Sequence, residues 1–173
     1  NASVNYQNNA ISDYMFSGCK TLKEVRMGTV TKLGNSVFSF CDSLISVDVS
    51  NVNTIGQSCL SGCKSLKSIS LPNITQIPNH CFYNCSSLAS ALLDNAKIDY
   101  LGQNAFYGCS SLESISFPNV TQLYADAFRG CTRLKTINFE SLKKVGNAFA
   151  DCTSLTNVNL PNAETLSYSC FEN

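Results

Sequence analysis

The chain has 173 residues, with 12 Lys and Arg against 12 Asp and Glu, so its formal net charge is zero. This balance, with a charged fraction of only 14%, excludes the basic surface of a nucleic-acid binder and the polybasic patch of a protein held on anionic membranes. An apolar fraction of 44% excludes a disordered chain, and no apolar run approaches the ~20 residues of a membrane-spanning helix.

An internal repeat organises almost the whole chain. Cysteines recur at intervals of 21 to 24 residues, a leucine follows each by three residues, and a phenylalanine precedes most of them by three. Such a period predicts coils of a solenoid, each too small to bury a core alone. We expect 1–10 to be an N-terminal extension or partial cap, and 11–173 to be one solenoid domain of seven coils and a partial eighth, cut from a longer chain. The repeated cysteines are Cys19, Cys41, Cys63, Cys85, Cys109, Cys131 and Cys152.

Within each unit the predicted elements follow a fixed order. Alternating apolar residues, such as Ile69 and Leu71, predict a first short strand. A Pro-Asn turn and a second extended piece (Ile74 to Ile77) follow, and then one helical turn, as around Ala105 and Phe106. Because the strand recurs once per coil in one direction, the sheet should be parallel, at ~4.8 Å per coil. The first strands are predicted near 24–27, 46–49, 68–71, 90–93, 114–117, 136–139 and 157–160.

The residue before each repeated cysteine marks a turn. Four glycines hold this position, and Asn84 and Asp151 replace glycine in two other coils. These residue types tolerate a positive φ, so the position should be left-handed. Phe40 departs from the pattern and is expected to be a partly exposed aromatic residue.

Ten cysteines would suggest a disulfide-stapled secreted scaffold. Their placement in equivalent positions of successive coils instead favours buried, reduced thiols that act as small apolar residues. Cys59, Cys81 and Cys170 fall in a second set of positions, which alanine holds elsewhere, and a Cys59–Cys81 disulfide stays open. A zinc site at His80, Cys81 and Cys85 is not favoured, because the sulfurs should face the interior. We expect no metal and no cofactor.

The repeat L-x-x-I-x-L-P-N-V-T-x-L followed by A-F-x-G-C-x-x-L resembles the BspA-like (Treponema-type) leucine-rich repeat. Leu112–Val120 and Leu155–Ala163 match its unit closely. The resemblance covers 11–173 and implies a leucine-rich repeat solenoid, a right-handed arc with the parallel sheet on its concave side. It also implies bacterial, or less often protist, surface proteins that attach to host proteins and cells. The family has no shared catalytic residues.

Catalytic chemistry is not indicated. His80 is the only histidine, and the sequence contains neither G-x-S-x-G nor a phosphate-binding G-x-x-x-x-G-K-[ST] motif. Ser17/Lys20 and Ser61/Lys64 match S-x-x-K, but the partner motifs of that chemistry are absent. We expect no enzyme activity.

The outward positions of the first strands should form an extended binding floor. They are small, polar and nearly uncharged, so binding of a protein partner is expected without strong electrostatic selection. The stretch Leu88 to Leu101 carries two extra residues and is a second candidate, because function is often grafted on irregular loops of repeat arrays. Besides the flanking Glu24, Arg26, Asn157 and Asn159, the candidate partner-binding residues are Ser46, Asp48, Ser68, Ser70, Ser90, Leu92, Asp94, Ser114, Ser116, Thr136, Asn138 and Tyr100.

Three functions remain open at this stage. The first is a non-catalytic protein–protein interaction module of an extracellular or cell-surface bacterial protein, with a host-attachment adhesin as its more specific form; a host or matrix protein would be its partner. The second is a structural spacer that presents another domain. The third is a carbohydrate-binding surface, which is disfavoured because Tyr83, Tyr107 and Tyr124 look too dispersed for a stacking platform. Nucleic-acid binding and membrane insertion are not expected, and the oligomeric state is open, with end-to-end contacts between solenoids allowed.

Overall fold

The computed structural model describes residues 9–92 and 97–172, which coil into a solenoid of short parallel strands. Each coil contributes a three-residue first strand and a two-residue second strand. The first strands are β2 (Glu24–Arg26), β4 (Ser46–Asp48), β6 (Ser68–Ser70), β8 (Ser90–Leu92), β10 (Ser114–Ser116), β12 (Thr136–Asn138) and β14 (Asn157–Asn159). The second strands are β1 (Ala10–Ile11), β3 (Lys32–Leu33), β5 (Thr54–Ile55), β7 (Gln76–Ile77), β9 (Tyr100–Leu101), β11 (Gln122–Leu123), β13 (Lys144–Val145) and β15 (Thr165–Leu166).

Equivalent residues of neighbouring coils pair in register, which confirms the predicted parallel stacking. Ser114 pairs with Thr136 and Ile115 with Ile137. The first strands are hydrogen-bonded as β2–β4, β6–β8 and β10–β12–β14. The second strands form one sheet of β1–β3–β5 and a longer sheet in the order β7–β9–β11–β13–β15. The register keeps each type of side chain in a row along the solenoid.

A row of phenylalanines forms the centre of the core. Phe106, Phe128 and Phe149 are fully buried, and the ring of Phe128 stacks on both neighbours at centroid distances of 5.3 Å. Phe117 and Phe139 flank this stack from the end of the first strands. Each ring buried in this way contributes roughly 1.5–3 kcal/mol to the stability of the fold. Because the stacked rings come from successive coils, the stack holds neighbouring coils together.

The helical turn predicted around Ala105 and Phe106 is wrong, and no helix occurs in the described residues. Alternate amides of this segment bond to the next coil: the N–H of Phe106 donates to Ala127 O and that of Gly108 to Arg129 O, both at 2.8 Å. These amides are therefore not available for bonds along a helix. In the same ranges, no helix has the length and hydropathy needed to cross a membrane.

Two left-handed positions shape the return loops of six coils, and the coil of Asp151 has one of them. The position before the repeated cysteine is left-handed as predicted, with φ of 73° at Gly62 and 55° at Asn84. Phe40 also adopts it, at φ 58°, and its side chain is 56% exposed, as expected. The second left-handed position lies four residues earlier and was not predicted. It is held by Tyr14, Ser36, Ser58, His80, Asn104 and Asp126.

The cysteine row joins the coils through its thiols. Cys63 Sγ donates to Phe38 O at 3.2 Å, and Cys109 Sγ donates to Phe82 O at 3.1 Å. The same bond recurs along the row. Nine cysteines are buried and all ten are free thiols, whereas Cys19 is exposed. The predicted packing role is thus confirmed for every cysteine except Cys19.

Replacement of Gly56 by alanine should destabilise the solenoid by about 3 kcal/mol, because overpacking forces backbone to move. A Cβ at this position would lie 2.6 Å from Asn35 N and closer still to the carbonyl group of Gly34. The free energy of unfolding from urea titration measures the effect. Gly146→Ala is the matched control, because its nearest contact, Leu123 O, lies at 3.1 Å. Equal losses in the two variants would contradict this explanation.

Candidate interaction surfaces

The outward side chains of the first strands form one exposed face, here called the floor. Because the strands alternate, Val25, Val47 and Ile69 point into the core while their neighbours point outward. Asn138 is half-buried. The position of Leu92 in β8 is described, but its side chain lies outside the described part, as does Asp94. The exposed predicted residues are Ser46, Asp48, Ser68, Ser70, Ser90, Ser114, Ser116 and Thr136.

The serine hydroxyls in the middle of the floor are not engaged in hydrogen bonds to other described residues. Within the described ranges, no hydrogen bond involves the side-chain hydroxyls of Ser68, Ser70, Ser114 or Ser116. Each hydroxyl offers one donor and two acceptor positions. The floor is therefore a regular grid of small groups that can bond to a partner.

Bonds within the protein occur towards the two ends of the floor. Asp48 accepts hydrogen bonds from the hydroxyl of Ser50 at 2.8 Å and from its amide at 3.2 Å, and these bonds lower the pKa of the Asp48 carboxyl. Asn159 Nδ2 donates to Asn138 Oδ1 at 2.6 Å. One end of the floor therefore carries charged side chains, with Asp48 opposite Arg26 of β2, whereas the other end is an amide pair.

Tyr100 does not join the other predicted residues. It lies in β9, in the second-strand sheet, and its ring meets that of Tyr124 at a centroid distance of 5.6 Å with the planes tilted by 53°. The predicted set therefore divides between two faces of the solenoid.

The return loops carry a polar and aromatic strip that the sequence interpretation missed. The rings of Tyr83 and Tyr107 stack at 4.9 Å with planes within 15°. His80 lies beside Tyr83 at 5.7 Å, and its Nε2 is 3.1 Å from Asn104 Nδ2. In the next coil the guanidinium of Arg129 donates to a carboxylate oxygen of Asp151 at 3.0 Å.

The expectation that the tyrosines are dispersed is therefore wrong. Tyr83 and Tyr107 occupy equivalent positions, two residues before the cysteine, so the register places them in contact. Comparison of this position from coil to coil would have revealed the pair. Tyr124 belongs to the separate pair with Tyr100 on the second-strand face.

The buried thiols are poor candidates for chemistry. Burial raises the pKa of Cys59 and of Cys85 to about 12, and it also raises the pKa values of Cys81, Cys109 and Cys131. The thiolate is the reactive form of cysteine, so these side chains are held in the inert form. In the part of the chain that the structure describes, no group of three or more His, Cys, Asp and Glu residues is arranged to hold a metal ion.

Comparison with known families and structures gives consistent matches. The model of the BspA type leucine rich repeat region, in six copies, matches residues 1–100 and again 75–173. A leucine-rich repeat protein from Bacteroides ovatus is 35% identical, with a TM-score of 0.75 over 86% of this chain and 39% of that chain. No curated protein sequence gives a significant match.

Two more distant structures share the fold. A leucine rich cell surface protein from Faecalibacterium prausnitzii is 19% identical, with a TM-score of 0.51 over 90% of this chain and 66% of that chain. A leucine rich repeat protein from T. pallidum is 20% identical, with a TM-score of 0.50 over 85% of this chain and 71% of that chain. The present chain spans about two fifths of the length of the Bacteroides ovatus protein.

Proposed function

Because the chain belongs to the BspA-type leucine-rich repeat family, we propose that it is a non-catalytic protein–protein interaction module that binds a protein partner through the floor. The leucine-rich repeat, the solenoid and the parallel sheets are established by the structure and the family match. Curved repeat arrays commonly use such extended faces for binding.

The observation that carries the proposal is the unused hydrogen-bonding capacity of the floor. Ser68, Ser70, Ser114 and Ser116 are all exposed, and their hydroxyls have no protein partner in the described residues. Serine side chains cost little entropy when they are ordered. A partner could therefore bond to several coils at once, with many small contributions rather than one dominant anchor.

The proposed setting is a bacterial cell-surface or secreted protein that attaches to host or matrix proteins. The Faecalibacterium prausnitzii structure is described as a cell surface protein, which supports this setting. Among the described side chains of the floor, Arg26 at one end is the single representative of the Trp, Tyr and Arg residues that dominate binding hot spots, so we expect modest affinity for one site. Tight attachment would then come from several modules acting together.

Substitution of Ser70 or Ser116 by arginine should weaken partner binding at least tenfold, or by about 1.4 kcal/mol. A long charged side chain would hold a protein surface away from the floor. The measurement is surface plasmon resonance against a panel of purified extracellular-matrix and cell-surface proteins, followed by titration with the variants.

Thr121→Arg is the matched control, because Thr121 is an exposed polar residue in the turn before β11. It adds the same charge away from the floor and should leave affinity unchanged. Binding of no protein in the panel, or equal affinity of Ser116→Arg and wild type, would contradict the proposal.

A further inference from the structure

The outer face of the longer second-strand sheet carries a row of polar side chains interrupted by two tyrosines. We call this face the trough; it runs along the solenoid from β7 to β15, and β5 of the other second-strand sheet lies beside its first strand. Tyr100 points outward from β9, and Tyr124 follows β11. Tyr124 is 40% exposed, and the 53° tilt between the rings means that they do not cover each other face to face. An aromatic face is thus presented in the middle of the trough.

A hollow lies on each side of the tyrosine pair. The hollow beyond Tyr124 has a volume of about 380 Å³ and extends over Lys144, Gly146 and Thr165. The hollow before Tyr100 has a volume of about 190 Å³ and includes Thr54 and Gln76. The larger one falls within the roughly 300–1,000 Å³ typical of small-molecule sites. Gly146 helps to open it, because this position has no side chain where Tyr124 stands one coil earlier.

The polar groups of the trough can both donate and accept hydrogen bonds. Gln76 and Gln122 carry amides, Thr165 carries a hydroxyl, and none of the three makes a side-chain hydrogen bond in the described part of the chain. Among the described residues that line the two hollows, the one charged side chain is Lys144. The lining therefore lacks carboxylates, and its amides and hydroxyls match a ligand that is rich in hydroxyl groups.

Other ligand classes fit this face less well. Nucleic acid would need more cations to neutralise its phosphates. A peptide that adds a strand needs a free sheet edge, whereas β9, β11 and β13 are hydrogen-bonded on both sides. An apolar ligand would leave the amides of Gln76 and Gln122 unpaired, which is costly.

We infer that the trough binds an extended pyranose glycan. One sugar ring packs its C–H face on Tyr124, and its hydroxyl rim bonds to Gln122 and Lys144. The next rings along the glycan continue past Tyr100 towards Gln76. This site is separate from the floor, so the glycan and a protein partner can bind the same molecule.

The test is a glycan array, followed by isothermal titration calorimetry with cellohexaose, chitohexaose, xylohexaose and polygalacturonate. We expect at least one of these extended glycans to bind, and Tyr124→Ala and Tyr100→Ala each to weaken that binding tenfold or more. Gln122→Ala should weaken it several-fold, because the variant removes hydrogen bonds but keeps the aromatic face. A thermal melt of each variant establishes that the solenoid is still folded.

Tyr83→Ala is the matched control, because it removes a tyrosine from the return-loop stack and leaves the trough intact. It should bind the glycan as wild type does. Absence of binding to all four glycans at millimolar concentration would overturn the inference. Undiminished binding by Tyr124→Ala would also overturn it. Neither result bears on the floor, which Ser116→Arg tests.

Discussion

Unfolding of the solenoid between about pH 9 and pH 10.5 under reducing conditions is the largest effect that we expect. Burial raises the pKa of the core thiols well above the unfolded value of about 8.5. Above that value the unfolded chain releases protons that the folded chain keeps. The contribution of the thiols to the free energy of unfolding is therefore fully present below the unfolded pKa and is lost as the pH rises above it. The thiols concerned, all fully buried, are Cys41, Cys59, Cys63, Cys81, Cys85, Cys109, Cys131 and Cys152.

The expected loss is large because the thiols act together. Each one costs about 1.4 kcal/mol per pH unit above the unfolded pKa. Eight thiols therefore cost roughly 11 kcal/mol per pH unit, against a typical total stability of about 5–15 kcal/mol. Urea unfolding followed by circular dichroism at pH 8 to 10.5, with a reductant present, measures the slope.

A double variant, Cys59→Ala with Cys81→Ala, isolates the contribution of the thiols. Ala105 and Ala127 hold the equivalent positions in other coils, so the variant should fold at pH 7.5. Removal of two of the eight thiols should reduce the slope by about a quarter. Cys19→Ala, which removes the exposed thiol, should leave the slope unchanged. The explanation fails if the double variant keeps the slope of the wild type.

Phe128→Ala is expected to cost about 3–5 kcal/mol of stability, the usual range for loss of a buried phenylalanine ring. Phe128 is fully buried and contacts Phe106 and Phe149 in the stack and Phe139 beside it. Removal of the ring would leave a cavity between coils. The strands on either side keep the walls of this cavity from closing, so the lost contacts are not replaced. Chemical denaturation at pH 7.5 measures the loss.

Two variants make this result interpretable. Phe128→Leu should cost less than about 1.5 kcal/mol, because a leucine of similar bulk fills most of the space, and Leu60 already holds the equivalent position in another coil. Phe16→Ala removes a half-buried phenylalanine whose one ring contact among the described residues is with Phe38, so its cost should be about half that of Phe128→Ala. A larger loss for Phe16→Ala would contradict the role given to the stack.

The strands and the core could be predicted because their signals repeat. Ile69 and Leu71 alternate with serine, and the same alternation returns in every coil, so chance patterns are averaged out. The return loops could not be predicted in this way. Their amides bond to the next coil, as Phe106 does to Ala127, and short-range sequence does not reveal such bonds. Ser58 and His80 also adopt left-handed backbone, but serine and histidine do not indicate a positive φ in a sequence as glycine does.

The candidate surfaces were predictable only in part. The floor followed from period-two alternation, because Ser114 and Ser116 must face the side opposite to Ile115. Tyr100 was assigned from its place in an irregular stretch, and sequence irregularity does not tell which face a residue occupies. Tyr83 and Tyr107 are in contact because both lie two residues before a repeated cysteine, a signal that is present in the sequence only when the coils are compared with one another.

The identical bonds between successive coils also bear on how such an array can change in length. Phe38 donates to Cys59 O, Phe106 donates to Ala127 O, and Phe82 donates to Ala105 O, each at 2.8 Å. A duplication of one whole coil in the gene would therefore meet matching donors and acceptors above and below it. The array could gain or lose single coils while the rest of the chain keeps its register. The length of its binding faces could therefore change during evolution by one coil at a time.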